Sequence, residues 1–146
     1  MKWDEFTAAA AATSWVTYLG TIDCSGRPHV SVVAPGFTPG SLWFATRRSS
    51  KKFENLSANP AVSFHWPVGN HDAPGELIAQ GRALTLASTP DRTRVWDSGV
   101  LPNDLAGFWG SPENPDLAFV EVEVDQARLL GPDFVPQRWR RSDRVG

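Results

Sequence analysis

The sequence predicts a mainly β protein, an antiparallel barrel or sandwich of six or so strands with a few short helices. Residues 117–129 are the clearest sign: Val120, Val122 and Val124 alternate with Glu121, Glu123 and Asp125, giving the one apolar and one acidic face of a half-buried strand. Elsewhere, stretches rich in β-branched and aromatic residues are separated by clusters of Gly, Pro, Asn and Asp, the residues that set turns. The helical segments are short, no internal repeat is present, and helices do not alternate with strands as a doubly wound parallel sheet would require. A chain of 146 residues fits one domain, residues 1–146, large enough to bury a core without disulfides or a structural metal.

Taken in order, residues 3–12 hold good helix formers, with Asp4 and Glu5 suited to the positive end of a short helix. Residues 16–23 read as a strand, Asp23-Cys24-Ser25-Gly26 as a turn, and residues 28–34 as the second arm of a hairpin. Pro35-Gly36 through Pro39-Gly40 makes another turn before a strand at 41–46, where Leu42 and Phe44 alternate with Trp43 and Ala45. Ser49 or Ser50 caps a helix running to Ala58, and Asn59-Pro60 ends it because a residue before proline avoids helical angles. Val62, Phe64 and Trp66 mark a strand at 61–66; residues 67–75 have loop composition; residues 76–86 form a further strand with Gly81 as a bulge position. Thr89 caps a helix that Pro90 opens and that reaches Trp96. Residues 97–115, with three prolines and three glycines, are irregular and hold one short helix near Leu105, Phe108 and Trp109.

The formal net charge of −2 provides no global basic field, so neither nucleic acid nor an anionic membrane is the expected partner. Cys24 is the sole cysteine, and the acids at the start of the chain interrupt any secretory leader; both suit a soluble protein of the reducing cytoplasm. Seven tryptophans, eight phenylalanines and one tyrosine supply flat surfaces for a core, an interface or a ring-shaped ligand.

Against that acidic background, Arg47, Arg48, Lys51 and Lys52 place four of the fourteen basic residues within six positions, where a strand runs through Ser49-Ser50 into a helix. Unpaired N–H groups at a helix start, its positive dipole end and nearby cations together make a phosphate site. The plainer alternative is a solvated charged face.

The stretch Thr46 to Pro60 resembles the pyridoxamine 5'-phosphate oxidase-like family of FMN-binding split β-barrels. There a strand ends in Thr and is followed by Ser-x-Lys and Leu-x-x-Asn-Pro, matched here by Ser50-Lys51-Lys52 and by Leu56-Ser57-Ala58-Asn59-Pro60. Gly26-Arg27-Pro28-His29-Val30 is similar to the family's first cofactor-binding strand, and the likeness is continuous over residues 13–86. The resemblance implies that Lys52 and Lys51 contact the flavin phosphate, with Ser50 and Thr46 donating hydrogen bonds. Val30, Ser31, Val32 and Val33 would line the isoalloxazine or ribityl portion, with Ala45 beside Thr46. It further implies a homodimer with two cofactor sites across its interface.

Phe108-Trp109-Gly110 and Asn114-Pro115-Asp116-Leu117 are similar to the general stress protein branch, which makes Trp109 a cover for the flavin ring; a buried interface tryptophan is the alternative. Arg138-Trp139-Arg140-Arg141 either reaches a cofactor or substrate anion or forms a solvated basic tail. The pyridoxamine phosphate oxidases proper carry a histidine just after a C-terminal arginine, and none follows Arg138 here. Pro28-His29 and Asn55-Leu56 are similar to a deazaflavin branch, so the implied cofactor is FMN, with the deazaflavin coenzyme F-420 as alternative.

The implied function is an FMN- or deazaflavin-dependent oxidoreductase acting on a small organic substrate. The alternative is a non-catalytic protein that sequesters flavin, deazaflavin or haem in the same barrel. No general acid or base stands out, Glu76 and His29 being the weak candidates. His29, His65, His71 and Cys24 have no metal-ligand spacing, and neither a Gly-x-Ser-x-Gly elbow nor a Gly-rich nucleotide loop is present.

Overall fold

In the computed structural model, which describes residues 1–141, the chain runs α1 (Trp3–Thr13), β1 (Thr17–Ile22), β2 (Pro28–Val33), β3 (Gly36–Thr38), β4 (Ser41–Arg47), α2 (Lys51–Ala58), β5 (Ala61–Gly69), β6 (Pro74–Leu86), α3 (Thr89–Ser98), α4 (Leu105–Trp109), β7 (Leu117–Leu130) and β8 (Pro136–Arg140). The fold is mainly β, as expected, and every strand pair is antiparallel. The sheet order is β2-β1-β5-β6-β7-β4-β3, with β8 also on β7. Strand β7 serves two neighbours along one edge: residues 117–123 pair with β4 and residues 126–130 with β8. The sheet curls until β2 packs on β4 without ladder pairing between them, which is the split of the barrel.

Alternation along the strands fills the interior. Leu19, Leu42, Phe44, Phe64, Trp66, Leu77, Val120 and Val122 are fully buried in one cluster, and α1 closes it with Phe6 and Ala10. An aromatic chain crosses this core, from Trp139 to Trp3 at 4.8 Å between ring centroids, Trp3 to Phe6 at 5.2 Å, Phe6 to Trp66 at 5.6 Å and Trp66 to Phe64 at 6.2 Å. A second cluster on the other face of β7 joins Leu117 and Phe119 to Val95, Leu101 and Trp109. Burial on both faces explains why the first four residues of β7 are uniformly apolar.

Eight strands are present among the described residues, two more than the sequence suggests. The turn expected at 35–40 contains β3, because Phe37 stacks on Trp66 at 6.5 Å and Gly36 passes so close to the Val100 carbonyl that any Cβ would collide with it. The loop expected at 67–75 shrinks to residues 70–73, since β5 and β6 pair as far as Gly69 and Pro74. Pro67 is tolerated there because β1 pairs with β5 only at residues 63–65, leaving no neighbour to miss its absent N–H. Ser88 rather than Thr89 caps α3, its hydroxyl accepting from the Asp91 N–H at 3.3 Å. The bulge falls at Gln80/Gly81 as expected.

Residues 138–141 are not a solvated tail. Residues 138–140 belong to β8, Trp139 is buried against Trp3, and the Arg141 guanidinium donates to the carbonyls of Val124 at 2.9 Å and Gly40 at 2.7 Å.

Candidate functional site

The turn between β4 and α2 is built by hydroxyls. Ser50 takes the extended cap conformation and its Oγ accepts from the Phe53 N–H at 3.2 Å, satisfying one of the helix's open donors. Thr46, the last inward residue of β4, shares a hydrogen bond with Ser50 at 3.0 Å between hydroxyl oxygens. On the far side of α2, buried Asn55 donates to Thr21 Oγ1 at 3.0 Å, so the helix is tied to both β4 and β1.

Asp116, just before β7, staples the outer side of this turn. Its carboxylate accepts from Arg47 Nη1 at 3.1 Å, from the Ser49 N–H at 3.2 Å and from Ser49 Oγ at 3.1 Å, while its carbonyl accepts from the Arg48 N–H at 2.7 Å. The Arg47 hydrogen bond, with help from Ser49, holds the Asp116 carboxyl below its ordinary range. The Arg47 guanidinium also lies over the rings of Phe108 at 5.6 Å and Trp109 at 5.5 Å.

These contacts divide the basic cluster. Arg47 is neutralised by Asp116, and Lys51 pairs with Glu54 at 3.4 Å. Lys52 has no side-chain partner among the described residues, and partial burial pushes its ammonium pKa down. A cation held out of water without a counter-ion is a site waiting for an anion.

Strand β2 flanks β4 across the split. Val30 and Val32 point outward and are exposed, while Val33 enters the core. His29 and Ser31 face inward with Thr21 and Leu19 opposite, and His29 Nδ1 and Ser31 Oγ are buried without a hydrogen-bond partner. Ala45 lies next to Thr46 on the opposite face of β4, half-buried against the second cluster. Trp109 packs within that cluster, so its link to the turn runs through Arg47.

Thr46, Ser50, Lys51, Lys52 and Ala45 are thus gathered at one strand-helix junction, with Ser31 on the neighbouring strand. Helix-start donors, two hydroxyls, an unpaired ammonium and an orphaned buried hydroxyl fit a phosphorylated ligand of flavin type. Asp116 was not singled out by sequence reasoning. It lies 67 residues from Ser49, and no local spacing links the two.

The two acid-base candidates lie apart from each other. His29 is on β2, whereas Glu76 bridges His65 Nε2 at 3.1 Å and Arg128 Nη2 at 2.7 Å on the outer face of the sheet. Among the described residues no cluster of His, Cys, Asp or Glu could hold a metal ion, and no helix is long and apolar enough to cross a membrane.

A family profile described as Pyridoxamine 5'-phosphate oxidase matches residues 4–131. The chain is 26% identical over 134 residues to the pyridoxine/pyridoxamine 5'-phosphate oxidase of Chromobacterium violaceum, covering 90% of this chain and 60% of that protein. It is 30% identical over 149 residues to the enzyme of the same name from Anaeromyxobacter dehalogenans, covering 92% and 70%. The chain therefore spans less than two thirds of the first relative's length.

Among solved structures, the fold matches a protein related to general stress protein 26 from Clostridium acetobutylicum, with TM-score 0.74, 14% identity, and 96% and 94% of the two chains covered. It matches an FMN-binding protein related to pyridoxamine 5'-phosphate oxidase from Nostoc punctiforme, with TM-score 0.72, 16% identity, and 98% and 90% covered. It also matches a heme binding protein from Mycobacterium smegmatis, with TM-score 0.73, 17% identity, and 93% and 57% covered.

Proposed function

The chain belongs to the pyridoxamine 5'-phosphate oxidase family, and from that premise we propose that it binds FMN at the β4–α2 junction and acts as an oxidoreductase on a small organic substrate. The observation that carries this reading is Lys52, an unpaired and partly desolvated cation beside the Ser50-capped start of α2. Lys52 and the free N–H groups of the first helical turn would hold the phosphate, and Ser50 and Thr46 would share hydrogen bonds with it. Ser31 on β2 would turn its orphaned hydroxyl toward the polar chain of the ligand. Asp116 keeps Arg47 and the 47–50 turn in place, so the donors are ordered before the ligand arrives.

The bound flavin would supply hydride or electron transfer, and the protein orientation, electrostatics and exclusion of water. The exposed Val30 and Val32 would be covered by a second copy, making the cofactor site an interface site. A single exposed Cys24 suits a reducing cytoplasm. The likeness to the Mycobacterium smegmatis heme binding protein favours, as a second reading, a protein that holds a ring cofactor without turnover.

The deciding experiment titrates the purified chain separately with FMN, F-420 and haem, followed by visible absorption and flavin fluorescence. FMN should bind, and K51A combined with K52A should weaken it roughly tenfold or more, the value of one lost charge-assisted contact. Unchanged affinity in that variant would sink the site. Preference for F-420 would transfer the reading to the deazaflavin, and selective haem binding would support the second reading.

A further inference from the structure

The end of α1, the β2–β3 bend and the loop after α3 enclose an open cavity of about 460 Å3, a volume typical of sites for small organic molecules. Its lining is drawn from segments 11–15, 34–37 and 100–103 and contains no Asp, Glu, Lys, Arg or His. Asp104, next in sequence, is engaged as the cap of α4, its Oδ1 accepting from the Gly107 N–H at 2.9 Å. An ionised ligand would lose water here and gain no counter-ion.

The walls are apolar and held in place. Phe37 belongs to the lining and stacks on the buried Trp66 at 6.5 Å between ring centroids. Gly36 passes so close to the Val100 carbonyl that no Cβ fits, which ties the β3 wall to the 100–103 wall, and Pro35 and Pro102 stiffen the two segments. Trp15 stands at the rim, 76% exposed, a flat ring for a planar ligand. Two polar groups interrupt this surface. Ser14 Oγ accepts from the Val16 N–H at 3.1 Å, leaving its O–H to donate, and Asn103 has no side-chain partner among the described residues.

The cavity adjoins the cofactor junction. Val100 packs against the second hydrophobic cluster, as does Ala45 beside Thr46, and Ala34 follows directly on β2, the strand expected beside the flavin ring. We propose that this cavity is the substrate pocket and that it takes a neutral, planar, largely apolar molecule with one hydrogen-bonding group, which Ser14 and Asn103 orient. A phosphorylated or carboxylated substrate finds no cation here. That the ligand is a substrate rests on the flavin reading, whereas its chemical class rests on the cavity alone.

The test titrates the whole chain, with and without FMN, with 2-naphthol and 2-naphthyl phosphate by calorimetry. The ester is compared in the K51A and K52A background, which keeps its phosphate off the α2 junction. 2-Naphthol should bind and perturb the visible spectrum of bound FMN, and the ester should bind roughly tenfold more weakly or worse. Ala11 is exposed on α1, so replacing it alters the cavity without disturbing the core. Ala11→Phe should block the mouth and weaken 2-naphthol roughly tenfold or more. Ala11→Arg should raise the affinity for the ester to at least that for 2-naphthol, by supplying the missing cation.

Equal affinity for the two probes without that arginine, no binding of 2-naphthol by the parent at millimolar concentration, or parent-like affinity in Ala11→Phe would each overturn the proposal. So would a Trp15→Ala chain that sediments as a monomer beside a dimeric parent yet binds 2-naphthol unchanged, since the groove would then be an interface between copies. Binding of 2-naphthol by a chain that ignores FMN would refute the flavin reading alone and leave the ligand class standing.

Discussion

Lys52 and Asp116 stand on two sides of one turn and are perturbed for opposite reasons. Lys52 is pushed down by desolvation, so its charge is a cost at neutral pH that a bound anion would remove. Asp116 is pulled down chiefly by its hydrogen bond to Arg47. A carboxylate whose folded pKa lies below its unfolded value stabilises the fold above the unfolded value, ordinarily 3.8, and loses that contribution as pH falls through the lowered value. Thermal melts from pH 2.5 to 6 should therefore show a shallower acid loss of stability in Asp116→Asn than in the parent. An identical acid limb in both proteins would mean that the staple contributes nothing. The cap at Ser50 and the cations were legible in sequence because they are local to the helix start, whereas Asp116 reaches them only through the β4–β7 register.

Elements were legible in proportion to their length and periodicity. Helix α2 announces itself through its capping residue and strand β7 through the alternation of residues 120–125, while β3 and β8 span three and five residues and depend on partners far along the chain. Strand β8 was hidden further by its arginines, which suggest a solvated segment although Trp139 is buried. Its indole is 4% exposed and lies 4.8 Å from the Trp3 ring, centroid to centroid, joining β8 to α1 across the end of the barrel. Trp139→Ala should cost about 3–5 kcal/mol, the usual range for truncating a buried large aromatic, measured by urea unfolding. A loss below about 1 kcal/mol, the range of surface substitutions, would mean that β8 is an ornament of the sheet and not part of its closure.

At the scale of the molecule, the all-antiparallel barrel was legible from alternation, but the strand order and the location of the split follow from contacts between distant segments. The split also leaves a face uncovered. Val30 is 66% exposed, Val32 52% and Tyr18 48%, and the register sets Val32 opposite Tyr18 and Val30 opposite Gly20, so the three large side chains share the outer face of the β1–β2 hairpin. Clustered exposed apolar residues mark binding surfaces in soluble proteins, and a two-fold copy of the same face is the simplest complement. If FMN sits where two copies meet, assembly and cofactor binding must be coupled, because a ligand contacting both copies stabilises the pair. Val32→Asp puts an unpaired carboxylate in the centre of that face, and sedimentation should show the parent as a dimer and the variant as a monomer. FMN affinity should fall in the same variant, although Val32 lies on β2 and Ser50 and Lys52 at the start of α2. A monomeric Val32→Asp protein that kept parent-like FMN affinity would separate the two properties, placing the cofactor within a single barrel and leaving the apolar face to some other partner.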